Sequence, residues 1–471
     1  MVSTFGLLNT AATGLAAARA GMDVTGQNIA NASTTGYVRQ RLDQSALGSG
    51  TPALFAKGPT VGSGVAITGV SRLNDSLLDA RARETASAGG YWDTASAALG
   101  SVESTLNEPG TDGLSATLND FWADWQGMAN SSGSPAQASV LIGQGKLVAS
   151  RIAEGYTTVS TGWSDARTAT ARTVTTVNDT AKQVATLNEA ILRTSATGGN
   201  ANELIDQRSL ALTTLSQLTG ATARDNVDGT VDVILGGNAL VSGVNSRSIT
   251  LSGAGDITGA GTSPVHVEWA GSPGFTVTVD GGEVAARLAT LAGPAANGSG
   301  GIYAEAAQVY NGLATTITTQ VNALHSAATT STGATGLAFF AVTPGGPAAL
   351  NISVVPTSVA GIAAANGSLG NADGSVADSI AQLGTAVASP NTAWSIFVSN
   401  VGAQSKNAAT QATLAGSASA AAITQQTSQS GVDLDEETSN LVMYQHAYAA
   451  AARVMSAVDQ MLDTLINRTG S

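Results

Sequence analysis

Side-chain catalysis needs a base, acid or nucleophile held close to its partner, so the reactive residue types come first. The 471-residue chain has three histidines, His266, His325 and His446, and no cysteine. The histidines lie too far apart for the His-Glu-x-x-His spacing that turns two imidazoles toward one zinc ion, and each reads as a surface or packing residue. Without cysteine there is no disulfide framework, no thiolate zinc site and no Cys nucleophile. Asp433, Asp435, Glu436 and Glu437 form an acidic cluster, but it lacks the glycine and the alternating ligands of a calcium loop. It reads as the first turn of a helix, where acids complement the dipole. Gly143-Gln-Gly-Lys146 lacks the leading glycine of a phosphate-binding loop, Gly253-Ala-Gly-Asp-Ile-Thr-Gly259 misses the dinucleotide spacing by one residue, and no Gly-x-Ser-x-Gly elbow occurs. The sequence therefore nominates no catalytic, cofactor-binding or metal-ligating residue, and the expectation is a protein that is not an enzyme and holds no cofactor.

Charge narrows the partners. Lys and Arg total 20 against 33 Asp and Glu, a net charge of −13, which is the wrong sign for a phosphate backbone. Arg39, Arg41, Arg72, Arg81 and Arg83 are also spread out rather than clustered. No nucleic-acid partner is expected. A secretory signal needs cations before its apolar run, yet the first is Arg19, and nowhere do about 18 apolar residues run together. Neither a cleaved leader nor membrane insertion is expected.

With no reactive site to position, the elements themselves carry the argument. All prolines fall between Pro52 and Pro390, with a concentration from Pro264 to Pro356; since proline inside a helix costs about 3 kcal/mol, both ends are free to form long helices. At the C-terminus Leu441, Tyr444, Tyr448, Ala451, Met455, Val458, Leu462 and Leu465 alternate in steps of three and four, a heptad seam that starts at an Asp433/Glu436 cap and stops near Gly470. At the N-terminus Leu8, Leu15, Met22 and Ile29 recur every seven residues with Ala11, Ala18 and Thr25 between them, until the loop residues Asn31 to Gly36. These two seams supply the expected assembly interface: Leu8, Leu15, Met22, Ile29, Leu441, Tyr444, Tyr448, Met455, Val458, Leu462 and Leu465. Periodicity leaves open whether they pair within one chain or only when subunits assemble. A third helix begins at Ser134-Pro135 and ends near Gly198-Gly199. Between about 221 and 282 the period falls to two, as in Val231-Val233-Leu235 and Val265-Val267-Trp269, with an Asp228-Gly229 turn. Helical spacing resumes at Tyr303 to His325 and from Trp394 to Gln429.

The expected fold is mainly α with an inserted all-β module: paired N- and C-terminal coiled-coil helices, a long-helix bundle domain and one or more small outer β domains. The expected division is 1–36 with 431–471 as the terminal coiled-coil domain, 37–222 with 284–430 as the discontinuous bundle, including a small irregular insertion at 333–374, and 223–283 as the outer β module.

The segment Gly26-Gln-Asn-Ile-Ala-Asn-Ala-Ser-Thr-Thr-Gly-Tyr-Val-Arg-Gln40 resembles the N-terminal motif of bacterial flagellar axial proteins. The run Ser430-Gly-Val-Asp-Leu-Asp-Glu-Glu-Thr-Ser-Asn-Leu441, continuing through Tyr444-Gln-His-Ala-Tyr448, is similar to the hook-associated protein 1 family, the hook–filament junction proteins. Asn202-Glu-Leu-Ile-Asp-Gln-Arg208, Asp228-Gly-Thr-Val-Asp-Val233, Asp280-Gly-Gly-Glu283, Asn322-Ala-Leu-His-Ser326 and Phe339-Phe340 follow in the family's order. The resemblance implies a structural subunit forming a ring or helical layer of its own copies between hook and filament. It implies the hook protein on one side and hook-associated protein 3, then flagellin, on the other. It also implies an export chaperone on the C-terminal helix, passage through the flagellar type III channel, and a place outside the cell. A hook or rod subunit, or a secreted enzyme with a helical stalk, are the alternatives.

Overall fold

The computed structural model describes residues 4–48, 62–370 and 373–468, and side chains only between 6 and 464. The chain opens with helix α1 (Thr4–Ala30) and a hairpin of β1 (Gln40–Leu47) and β2 (Gly64–Arg72). Four helices follow: α2 (Ser76–Leu106), α3 (Leu114–Asn130), α4 (Pro135–Ala196) and α5 (Asn202–Thr219). Ser134 caps α4 through its Oγ, which accepts from Gln137 N, and Pro135 occupies the first helical position, where no N–H partner is needed. At 62 residues α4 is about 93 Å long and spans the whole body.

The inserted β module comprises β3 (Thr222–Asp225), β4 (Val231–Leu235), β5 (Asn238–Ser242) and β6 (Asn245–Ser246) in one antiparallel sheet, and β7 (Ile249–Ser252), β8 (His266–Trp269) and β9 (Thr276–Val277) in a second. Helices α6 (Gly282–Leu291) and α7 (Ile302–His325) return to the bundle. A small irregular region then contains β10 (Thr329–Thr330), β11 (Phe340–Val342), α8 (Ala348–Asn351), β12 (Ile352–Val354) and β13 (Ala363–Ala365). Last come α9 (Ser375–Gln382), α10 (Pro390–Ser430) and α11 (Leu434–Arg468).

Two hydrophobic cores divide α4 between them. Its N-terminal half packs with α3, α7 and the start of α10 around Phe121, Trp125, Trp163, Phe339, Phe340 and Trp394. Its C-terminal half, at Val174, Val177 and Val184, packs with Leu212 and Leu215 of α5 against Val231, Val233, Leu240, Val267 and Trp269 of the module. The module is thus fused to the bundle through a shared core, which its period-two strands did not disclose. The hairpin β1–β2 is a second departure: its strands Gln40–Leu47 and Gly64–Arg72, expected in the bundle, lie against α1, where Asn9 donates to Ser63 O at 3.2 Å.

The two chain ends meet. α1 and α11 run antiparallel, with Gly14 beside Ala451, Gly21 beside Tyr444 and Asn28 beside Glu437, so each step of seven along one helix is a step of seven back along the other. α10 lies against α2 and buries Ala408, Ala415 and Ala422, small residues seven apart that let the two helices approach closely.

Candidate assembly site

Along α1, the residues most deeply buried are the small ones: Ala11, Ala17, Ala18, Gly21, Thr25 and Asn28. Leu8, Leu15, Met22 and Ile29 flank that stripe and are half-buried. Gly21 shows why small residues face the partner: a Cβ there would come within 2.5 Å of the Tyr444 ring. On α11, Val458 is buried, while Leu441, Tyr444, Met455 and Leu462 are half-buried and Tyr448 is 38% exposed. Leu465 and Gly470 lie outside the residues whose side chains are described. The pair therefore leaves apolar surface uncovered, at Leu7 on α1 and at Val442, Met443, Tyr448, Val454 and Met461 on α11.

At the inner end of the pair, a buried polar node ties it to the body. Asn28 is 1% exposed and uses its whole amide. Its Oδ1 accepts from Tyr37 Oη at 2.9 Å and Gln40 N at 3.0 Å; its Nδ2 donates to Gln40 O at 2.9 Å and Glu437 Oε2 at 3.0 Å. Arg39 grips both acids of the first turn of α11, from Nε to Glu437 Oε1 at 2.7 Å and from NH1 to Glu436 Oε2 at 2.9 Å. Charge-assisted forks of this kind are the stronger class of hydrogen bond. Asp433 caps that turn, its Oδ1 accepting from Asp435 N and Glu436 N. Glu436, expected to complete a capping box, is instead turned outward to Arg39.

The node continues into α5. Arg72 grips Asp206 Oδ1 through Nε at 2.7 Å and NH2 at 2.6 Å, leaving Oδ2 to accept from Val38 N at 3.2 Å. Asn202 donates to Gln40 Oε1 at 3.2 Å and Val70 O at 3.0 Å. Burial, and then the charges of Asp206, Glu203 and Glu437, push the Tyr37 phenol up to about 12, so it stays a neutral donor. The hydrogen bond to Glu436 is foremost in holding Arg39 above its ordinary value. Burial raises Asp206 above the usual carboxylate range, against the pull of Arg72. Every charge in the node is answered within it, an arrangement suited to holding elements at a fixed angle rather than to proton transfer. Among the described residues no group of His, Cys, Asp and Glu is placed to hold a metal ion, and no helix is long and apolar enough to cross a membrane.

Heptad reasoning considers apolar positions and so passed over Asn28, Tyr37, Arg39, Asp206 and Glu437. A signal was nevertheless present. All five fall inside the three segments, 26–40, 202–208 and 430–441, whose residues are too polar and too specific for their local elements. The structure brings those segments together.

Comparison with known proteins agrees with this convergence. Residues 99–340 match the family described as "Flagellar hook-associated protein FlgK helical domain". Residues 8–37 match "Flagella basal body rod protein" and 424–468 match "Flagellar basal body rod FlgEFG protein C-terminal". The chain aligns with Flagellar hook-associated protein 1 of Bacillus subtilis at 28% identity over 515 positions, covering 100% of this chain and 99% of that protein. Against Flagellar hook-associated protein 1 of Escherichia coli it is 28% identical over 248 positions, 52% of this chain and 44% of the other. The solved flagellar hook junction protein FlgK from Burkholderia pseudomallei is similar at 25% identity and a TM-score of 0.48, over 57% of this chain and 47% of that one. With the helical-domain family matched over more than half of its length, the chain belongs to the FlgK family of flagellar hook-associated proteins, structural proteins of the junction between hook and filament.

Proposed function

We propose that Leu8, Leu15, Met22 and Ile29 on α1 and Leu441, Tyr444, Tyr448, Met455, Val458, Leu462 and Leu465 on α11 form the assembly element of the junction layer: Val458 and Tyr444 hold α11 to α1, and the half-buried and exposed members of the two rows pack against the same pair of neighbouring copies. The polar node sets the angle at which the pair leaves the body. The observation that carries this reading is the apolar surface left on α11 after α1 has packed: Val442, Met443, Tyr448, Val454 and Met461 each remain more than a third exposed. Large side chains in that number on one helix mark a surface awaiting a partner. The role is structural and non-catalytic. The hook protein lies on one side of the layer and hook-associated protein 3, with flagellin beyond it, on the other. Before export through the type III channel to the outside of the cell, a chaperone covers the same α11 face. The chain is organised as the terminal pair (1–36 and 431–471) with hairpin β1–β2 laid against it, the bundle made from the rest of 37–222 and from 284–430, and the β module (223–283) facing outward. The rod-family matches at both ends fit a hook or rod subunit equally well; the helical domain at 99–340 is what separates this chain from them.

The test uses Met443→Asp with Val454→Asp in cells whose own copy is deleted. Both side chains are exposed in the single chain, so the purified variant should melt as the parent does. Cells should then build hooks but shed flagellin into the medium. Normal filaments on the hooks of that variant would overturn the reading.

A further inference from the structure

Two apolar rows on the terminal pair stay open after α1 and α11 have met. On α11, Met443, Ala447, Ala450, Val454, Ala457 and Met461 recur in steps of four and three, and all six are exposed, Met443 at 53% and Val454 and Met461 at 46%. That spacing is a coiled-coil seam of its own. On α1, Leu8, Leu15, Met22 and Ile29 recur every seven residues with Ala12 and Gly26 between them, and the four large side chains are half-buried at the edge of the α11 contact. The residues that touch fix where these rows point. Leu15, Met22 and Ile29 each follow a contact residue by one position, namely Gly14, Gly21 and Asn28, whereas Ala450 and Met443 each precede one, Ala451 and Tyr444. One position is a turn of about 100°. Because the helices are antiparallel, a step forward along α1 and a step back along α11 rotate in the same sense seen from one end. Rows turned in the same sense from facing contact lines point to opposite sides of the pair. The hairpin leaves the α1 row uncovered, since it takes the other flank, where Thr13 precedes Gly14 and its Oγ1 accepts from Val65 N at 3.4 Å.

We infer that the α11 row of one copy receives the α1 row of a second copy, head to tail. Size selects that occupant. Within the chain, the large Tyr444 of α11 enters the space left by Gly21 of α1. Between copies the roles reverse, with Leu8, Leu15, Met22 and Ile29 entering the spaces left by Ala447, Ala450 and Ala457. A second α11 row would set alanines against alanines and leave those spaces unfilled. Continuity selects the same occupant: copies related by rotation about a common axis present α1 of one antiparallel to α11 of the next, the orientation the two helices already take within the chain. Complementary rows on opposite sides of a pair make a heterologous contact, which repeats into a ring or a helical layer, whereas a self-complementary patch stops at a dimer. The inference rests on the junction reading, which sets copies side by side.

The experiment places a photo-crosslinking amino acid at position 446 by codon suppression and irradiates isolated flagella. His446 is exposed, and at three and four residues from Met443 and Ala450 it borders the α11 row on the side turned away from its own α1. A product at twice the chain's mass, joined through a peptide of α1, is expected; a crosslink within one chain leaves the mass unchanged. Leu15→Asp in the same background should reduce the doubled product about tenfold or more, while Leu15→Met should retain most of it. A doubled product joined through α11 or any segment other than α1, crosslinks to a different axial protein alone, no doubled product, or an unchanged yield with Leu15→Asp would each overturn the inference. Should Leu15→Asp fail to fold, the peptide captured from position 446 with Leu15 intact still decides the occupant. Immunogold labelling of the same flagella reports separately on the junction reading, because a chain absent from the hook–filament boundary defeats that reading whatever the crosslinks show.

Discussion

Asn28 and Glu437, 409 positions apart in the sequence, are joined by a buried 3.0 Å hydrogen bond that closes the two ends of the chain onto each other. The Glu437 side chain is 2% exposed, and the Arg39 charge that answers it is 2.7 Å away. Asn28→Ala would leave the Gln40 backbone groups and one Glu437 oxygen without their partner, and unsatisfied buried groups cost about 1–3 kcal/mol. Denaturant unfolding should show a loss of about 2–3 kcal/mol. In a double-mutant cycle with Glu437→Gln the two losses should be non-additive by at least about 0.5 kcal/mol. Strict additivity would mean that the bond does not hold the ends together.

Two glycines of α1 should respond in opposite directions to the same change. Gly26 has nothing within 4 Å of a built Cβ, so Gly26→Ala should stabilise the helix by about 1 kcal/mol. At Gly21 the added methyl meets the Tyr444 ring at 2.5 Å, so Gly21→Ala should destabilise the pair, and Tyr444→Leu should recover part of that loss. Thermal melts of Gly26→Ala, Gly21→Ala, Tyr444→Leu and the Gly21→Ala/Tyr444→Leu double variant check it. Equal effects at both sites would mean that α1 and α11 are not in this register.

His325 gives the body a defined response to acid. It is fully buried, its Nδ1–H donates to Leu337 O at 2.8 Å, and its Nε2 accepts from Ala363 N at 2.9 Å, a neutral tautomer that bridges α7 to the irregular region. Burial lowers its pKa. The unfolded chain takes up a proton near pH 6.5 that the folded chain refuses, so stability is complete above that value and falls as pH drops below it. The slope from this one group is at most about 1.4 kcal/mol per pH unit. Difference curves of unfolding free energy between the parent and His325→Gln, from pH 7.5 to 5, should show it; parallel curves would remove His325 as the cause.

The shared core sets what removal of residues 223–283 does. A freestanding outer module would come away without harm. Here the deletion uncovers Val174, Val177, Val184, Leu212 and Leu215, at about 2 kcal/mol each, or about 10 kcal/mol against a typical domain stability of about 5–15. The truncated chain should lose protease resistance at the α4–α5 end. A shortened chain melting at the parent's temperature would show that the two cores are independent.

Much of this architecture was legible in the residues. The Ser134-Pro135 start and Gly198-Gly199 stop bracket α4, which runs Pro135–Ala196, because caps and breakers act through bonds within a few residues. The strands after Asp228-Gly229 were legible for the same reason. The hairpin β1–β2 was not, since Gln40–Leu47 alternates weakly and is held by pairing with the distant Gly64–Arg72 and by lying against α1. The node was hidden because its members are polar and far apart in sequence, and hydrophobic period carries no information about them.

Sequence alone determined that both ends are long helices with seven-residue repeats, and that an all-β insertion interrupts a helical body, because such periods are properties of neighbouring residues. Which side of α1 turns inward was decided only by tertiary structure. The Leu8, Leu15, Met22 and Ile29 row is the more hydrophobic, yet the small-residue row faces α11, because the Tyr444 ring needs the space that Gly21 leaves. Tertiary structure likewise turned Glu436 from a local cap to Arg39 and drew Glu437 to Asn28. A buried charge goes to whichever partner best offsets its desolvation, and that partner is supplied by the fold rather than by position in the chain.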